Sequence, residues 1–148
     1  MSASFDGSFV ITNNGAARAG DAHANGRLWR LGYYQAGAGG HDTETNLPLR
    51  VDPTLITLPN PTTGLISLTA GQVAQVDFRK TSIQCVFNTG VGTGPLSSVG
   101  IYGEIVFVTD SADAAMVGNT FLFGVCNLGY NLKASNAIRT FNIILNSI

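Results

Sequence analysis

In the last third of the chain, apolar residues occupy both the even and the odd positions of the predicted strands, so neither face of a strand is polar. Along residues 99–108, Ile101 and Ile105 fall on one face, while Tyr102 and Val106 fall on the other. Side chains in a strand point to opposite faces with a period of two, so a strand that is apolar on both faces needs a covering partner on each. The charged residues from position 97 onward are Glu104, Asp110, Asp113, Lys133 and Arg139. We therefore expect a sheet that is buried on both sides.

Runs of apolar and β-branched residues, separated by turn clusters, predict a series of strands. They span residues 8–11, 27–35, 65–68, 73–78, 81–87, 99–108, 120–128 and 137–145. Prolines and glycines between residues 37 and 61 interrupt any long element and leave at most a short strand at 55–58. The intervals between turns are typical of an all-β sandwich.

One short helix is predicted near the start of the chain. The Thr12-Asn13-Asn14-Gly15 segment carries good capping side chains, alanines follow it, and Asn25-Gly26 ends the helix. Residues 110–118 form a polar connection with room for one helical turn. The predicted fold is mainly β, an antiparallel β-sandwich-like single domain over residues 1–148 with one short N-terminal α-helix. Residues 1–7 are expected to form a flexible arm.

Charge is scarce in this chain and limits its partners. Charged residues make up 11% of the sequence, against about 25% in an ordinary soluble protein, and the net charge is −1. With only Lys80 and Lys133 as lysines, we expect neither nucleic acid nor a membrane surface as a partner. No export signal or membrane-spanning segment is visible. Low charge and a sheet apolar on both faces predict a chain that works within an assembly.

Candidate chemistry is sparse. His41-Asp42-Thr43-Glu44 places an imidazole and two carboxylates within four residues, which can bind a metal or serve acid–base catalysis. The segment lies in a Gly/Pro-rich loop without a second ligand cluster, which favours a solvated polar loop. His23 is expected on the surface, and Cys85 and Cys126 as buried small apolar residues. We expect no enzymatic activity, no metal site and no cofactor.

Aromatic residues crowd one strand, with Trp29, Tyr33 and Tyr34 within residues 27–35. Aromatic rings offer contact area that can stack on a sugar, but on an alternating strand they more often fill a core or a subunit interface. Both interpretations remain open from the sequence.

Four short segments, in the same order, resemble the phage tail-collar fibre family. Phe9-Val10-Ile11-Thr12-Asn13-Asn14-Gly15-Ala16-Ala17 looks like the family's opening strand, turn and alanine-rich helix, and residues 28–37 resemble its second strand. Val99-Gly100-Ile101-Tyr102-Gly103-Glu104 is similar to its Ile-Gly-Leu-Tyr-like strand, and Thr120-Phe121-Leu122-Phe123-Gly124-Val125 to the strand that follows. The family usually continues into a long fibre shaft that this sequence does not include. The resemblance therefore implies the attachment role, as a tail-fibre, baseplate or collar adaptor.

The resemblance further implies a homotrimer located in the virion tail or baseplate, assembled in the host cytoplasm, with other tail or baseplate proteins as partners. The sequence by itself indicates only a homo-oligomer with closed symmetry. The candidate subunit-interface residues are Phe5, Trp29, Tyr33, Phe141, Ile143 and Leu145.

Two alternatives stay open. One is a lectin-like β-sandwich in which Trp29, Tyr33, Tyr34 and the asparagine-rich loops contact host glycan. The other is a capsid decoration protein, which is also β-rich and trimeric.

Overall fold

Eleven strands, one α-helix and one 3₁₀ helix are formed by residues 2–6 and 9–146, which are the residues that the computed structural model describes. The strands are β1 (Ser2–Asp6), β2 (Phe9–Ile11), β3 (Arg27–Gly37), β4 (Ile66–Ser67), β5 (Val73–Asp77), β6 (Lys80–Phe87), β7 (Gly94–Pro95), β8 (Ser98–Val108), β9 (Thr120–Asn127), β10 (Leu132–Lys133) and β11 (Arg139–Asn146). Helix α1 spans Asn13–Ala24, and the 3₁₀ helix spans Ser111–Met116.

These strands form a four-stranded sheet in the order β1-β11-β6-β5 and a five-stranded sheet in the order β2-β9-β8-β3-β4. A two-stranded ribbon joins β10 and β7. Every pairing is antiparallel except that of β1 with β11. The predicted fold class, mainly β with antiparallel sheets and one short helix, is confirmed.

Three local predictions differ from the structure. Residues 55–58 form no strand, and β7 and β10 were not predicted. Ser2–Asp6, expected to lie in a flexible arm, form a strand that pairs with β11, because the open edge of β11 offers unpaired backbone groups. Residues 1 and 7 of that arm, and residue 8 of the first predicted strand, lie outside the described residues.

The main core lies between the two large sheets. Its buried side chains come from the alternating positions of β3, β8 and β9 on one sheet and of β6 and β11 on the other. Phe87 and Phe141 pack there with ring centroids 6.0 Å apart, and the Tyr34 hydroxyl donates to the Val86 carbonyl at 2.8 Å. The alternating apolar side chains of β6 and β11 therefore fill the core of this chain.

The opposite face of the five-stranded sheet is covered by the chain itself. We call residues 38–65 the covering loop; its buried Val51 and Leu58 pack on Tyr102, Leu122 and Val125 of the sheet. The Tyr102 hydroxyl accepts a hydrogen bond from the Leu58 amide at 3.3 Å. The expectation that this face needs another molecule is corrected here, because the proline- and glycine-interrupted segment, predicted to hold at most a short strand at 55–58, carries the apolar side chains that cover it.

Helix α1 is fixed by its N-cap. Thr12 is fully buried; its Oγ1 accepts from the Gly15 amide at 2.9 Å and donates to the Leu122 carbonyl at 2.9 Å. Ala22 on the helix then packs with Ile105, Phe121 and Phe123 in a third core cluster. The predicted capping segment is confirmed.

Both cysteines are buried, as predicted, and neither forms a disulfide within the described residues. Burial, and to a smaller extent Cys126, raises the pKa of the Cys85 thiol above its ordinary value. The folded chain therefore holds the thiol proton at a pH where the unfolded chain has released it, so stability is complete below the unfolded pKa and falls above it.

We expect the unfolding free energy to fall above about pH 9, by up to about 1.4 kcal/mol per pH unit from this one group. Urea unfolding of the wild type and of Cys85→Ala between neutral and alkaline pH measures this pH dependence. The unfolding free energy of the variant should fall less steeply with pH, because it lacks the buried thiol. Parallel curves for the two proteins would contradict the prediction.

Candidate functional site

The strand β11 residues proposed for a subunit interface lie inside the chain. Phe141 is 2% exposed and Ile143 is 0% exposed, both in the core between the two sheets. Leu145 is partly buried against the same core. Phe141 and Ile143 are thus corrected to core residues, because β11 is a central strand whose inner face meets the other sheet. Phe5 lies opposite Ile143 in the β1–β11 register, and its side chain is outside the described part of the chain.

The aromatic strand also makes its contacts within the chain. Trp29 packs against Phe121 and Phe123, with centroid distances of 5.6 and 5.0 Å. The Tyr33 hydroxyl donates to Glu104 Oε2 at 3.0 Å, and that carboxylate raises the pKa of Tyr33. Tyr34 is buried in the main core. These three rings therefore do not form an open platform on which a sugar could stack.

His41 of the His41-Asp42-Thr43-Glu44 segment holds the covering loop in place. His41 Nδ1 lies 2.8 Å from Ser97 Oγ, which also accepts from the Gly40 amide at 2.9 Å. The tautomer of His41 decides which of these two atoms donates, because the serine oxygen can accept from both the amide and the ring. Ser97 is fully buried, so this serine–histidine pair presents no accessible nucleophile. It ties the covering loop to the residue before β8.

The carboxylate of Asp42 organises a turn. It accepts from the Glu44 amide at 2.8 Å and from the Thr45 amide at 3.1 Å, and these bonds lower the pKa of Asp42. Among the residues that the structure describes, no three His, Cys, Asp or Glu side chains come together as a metal group would. His23 is exposed on helix α1, as expected.

Among the exposed large apolar side chains, two pairs lie close together at strand ends that the sequence did not single out. Val76 and Phe78, which we call the hairpin tip, lie where β5 turns into β6; Phe78 is 80% exposed, and the Arg79 guanidinium carbon lies 5.6 Å from its ring centroid. Leu28 and Phe107 face each other across β3 and β8 and are also exposed. We call this pair the strand-end patch. It lies on the five-stranded sheet next to the Arg30–Glu104 ion pair.

The outward residues in the middle of β6 and β11 are uncharged, and Lys80 at the start of β6 is the charged outward residue on the same face. They pair in register across the two strands as Ser82 with Ile144, Gln84 with Asn142, and Val86 with Thr140. Uncharged, partly apolar surfaces cost little to desolvate and are typical of the central part of an interface. The middle of β6 and β11 thus offers an uncharged strip that suits contact with another protein.

Comparison with known proteins adds no relative. Within residues 2–6 and 9–146, no helix combines the length and the hydropathy that a bilayer span requires. No protein-family model matches the sequence, and no match was found among curated proteins or solved structures.

Proposed function

We propose that this chain is a non-enzymatic structural subunit of a phage virion, an attachment or adaptor component of the tail fibre, baseplate or collar. The assignment to a phage tail rests on the resemblance of its short motifs. The third and fourth motifs, residues 99–104 and 120–125, lie in β8 and β9, which are neighbours in the five-stranded sheet. This placement is compatible with motifs that determine strand pairing and supply no catalytic or ligand-binding residues.

The observation that carries the assembly role is the exposure of Phe78 at the hairpin tip. A phenylalanine side chain contributes about 1.5–3 kcal/mol when it moves from water into an apolar site. Large exposed aromatic side chains that anchor in a partner's pocket supply much of the binding energy of interfaces. The uncharged outward residues of β6 and β11 lie in the same sheet as the hairpin tip, and the strand-end patch is a separate exposed apolar surface on the five-stranded sheet.

The first partner we propose is a second copy of this chain, in a homotrimer, with other tail or baseplate proteins as further partners. In a closed ring each copy offers one surface and receives another, so the hairpin tip of one subunit would be buried against its neighbour.

Sedimentation velocity of the full chain over a wide concentration range tests the assembly. We expect a trimer, and we expect Phe78→Ser to raise the dissociation constant of the trimer at least tenfold, because about 1.4 kcal/mol of lost contact has that effect. Ile56→Ser, which alters another highly exposed apolar residue, serves as the control and should leave the trimer intact. A monomer at every concentration would contradict the proposal.

The place in the particle is tested separately. Antibody labelling of purified phage particles, followed by electron microscopy, should mark the tail or baseplate. Label distributed over the capsid would support the decoration-protein alternative, and unlabelled particles would contradict a virion role.

A further inference from the structure

The sequence contains two Asn-Gly pairs, and the fold places them in different surroundings. One is Asn14–Gly15, in the first turn of helix α1, and the other is Asn25–Gly26, between the end of that helix and β3. In such a pair the backbone nitrogen of the glycine can attack the side-chain amide carbon of the asparagine, because glycine has no Cβ to hinder the approach or to restrict the backbone. Since the chemistry of the two pairs is the same, a difference in their reactivity must come from the structure.

The helix and strand β9 hold the Asn14–Gly15 pair in place. Gly15 is buried, and its amide donates to Thr12 Oγ1 at 2.9 Å. A Cβ on Gly15 would overlap the backbone of Phe123, so the glycine has no room to rotate. Its nitrogen can attack Asn14 only after the first turn of α1 opens, and the native contacts make such an opening rare.

The Asn25–Gly26 pair is not restrained in this way. Both residues are exposed, and neither belongs to a helix or a strand. Gly26 has a φ of 66°, and its amide has no hydrogen-bond partner among the residues that the structure describes. The nitrogen that would react is therefore not tied up in a backbone hydrogen bond.

Hydrogen bonds on the surface hold the Asn25 side chain. Its Nδ2 donates to the Asp21 carbonyl at 2.9 Å and to Asp21 Oδ1 at 2.8 Å. Exposed hydrogen bonds of this kind contribute little, because water can replace them. Reaction at Asn25 thus needs the release of one exposed side chain and a local rotation of the backbone at the helix end, whereas reaction at Asn14 needs a turn of the helix to open.

We propose that Asn25 is a site of spontaneous deamidation in the folded chain and that Asn14 is protected from it. The Gly26 nitrogen loses its proton and bonds to Asn25 Cγ, and ammonia leaves, which closes a cyclic succinimide. Water then opens the ring at one of its two carbonyl carbons. Opening at Cγ gives aspartate, and opening at the backbone carbonyl carbon gives isoaspartate, in which the chain runs through the side chain. In sum, one asparagine and one water give one carboxylic acid and one ammonia.

The product adds negative charge to an acidic cluster. Asp21 and Asp113 already share the guanidinium of Arg27. A carboxylate at position 25 has no N–H to donate to Asp21, and like charges four residues apart on a helix repel each other. A negative charge at a helix C-terminus is also unfavourable. Deamidation should therefore loosen the last turn of α1 where it joins β3.

Peptide mapping of the full chain tests the selectivity. Trypsin cleaves after Arg18 and Arg27, so the two pairs fall on separate peptides, residues 1–18 and 19–27. The folded protein is kept at mildly alkaline pH, digested at intervals and analysed by mass spectrometry for conversion of amide to acid. We expect conversion in residues 19–27 to be at least tenfold faster than in residues 1–18, a factor that about 1.4 kcal/mol of opening free energy already produces.

The urea-unfolded chain serves as the reference. Both pairs lack structure there and should react at similar rates. Asn25→Gln should nearly abolish conversion in residues 19–27, because a glutamine would have to close a larger ring. Equal rates at the two pairs in the folded chain, or conversion in residues 19–27 only in urea, would overturn the proposal.

Two variants measure the effect of the new charge. Asn25→Asp reproduces one product, and Asn25→Ser removes the same amide donor without adding charge. We expect Asn25→Asp to lower the Tm by about 2 °C more than Asn25→Ser does. The difference should shrink in high salt, which screens exposed charges. Equal Tm values for the two variants would overturn the expected loosening of α1.

Discussion

Replacing Gly15 by alanine should lower the unfolding free energy by about 2–3 kcal/mol, because the added methyl overlaps the backbone of β9. A Cβ at this position would collide with the Phe123 carbonyl oxygen and lie 2.8 Å from the Phe123 Cα. That carbonyl accepts from the Thr12 amide at 3.0 Å, and the Phe123 ring packs on Trp29, so the strand has little freedom to move away. Urea unfolding followed by circular dichroism measures the loss.

Gly20 in the same helix provides the matched control. A Cβ there meets no atom within 4 Å, so Gly20→Ala should stabilise the chain by up to about 1 kcal/mol through helix propensity alone. The two substitutions are chemically identical and differ only in what the methyl meets. If both changed the unfolding free energy in the same direction, the close packing of helix α1 on β9 would be contradicted.

Leu58→Ala should lower the unfolding free energy by about 3 kcal/mol. Leu58 is 3% exposed and packs in the cluster that joins the covering loop to Tyr102 and Leu122. Its loss would leave a cavity between the loop and the sheet, because the loop is held by several other contacts and can collapse only in part.

Ile56, two residues earlier in the covering loop, is 66% exposed. Ile56→Ala should therefore change the unfolding free energy by less than about 0.5 kcal/mol. The same denaturant titrations compare the two variants. Equal and small effects would show that the covering loop does not protect the sheet in solution.

Much of the strand layout followed from local pattern. Alternation over residues 99–108 and 120–128 marked β8 and β9 to within a residue or two, and the predicted capping segment before the alanines contains Thr12, the N-cap of α1. These features depend on neighbours close in the chain. The pairing of β1 with β11 depends on an edge formed more than a hundred residues away, which no local signal reports.

The sequence could not show whether each apolar face of the sheets is covered by this chain or by another molecule. Phe141 and Ile143 alternate as interface residues would, and the same alternation serves a core. Val51, Leu55 and Leu58 lie among prolines at irregular spacing, so no period marks the covering loop as part of a core.

The parallel pairing of β1 with β11 has a consequence for how the molecule is made. During translation Ser2–Asp6 emerge more than a hundred residues before Arg139–Asn146, the strand that receives them. Closing so long a loop is entropically costly and slow, so the four-stranded sheet should reach its full width only after β11 has been made. Until then the outer edge of β11 offers its free backbone groups to the first strand of any nascent copy, which makes exchange of β1 between chains a route to intertwined subunits.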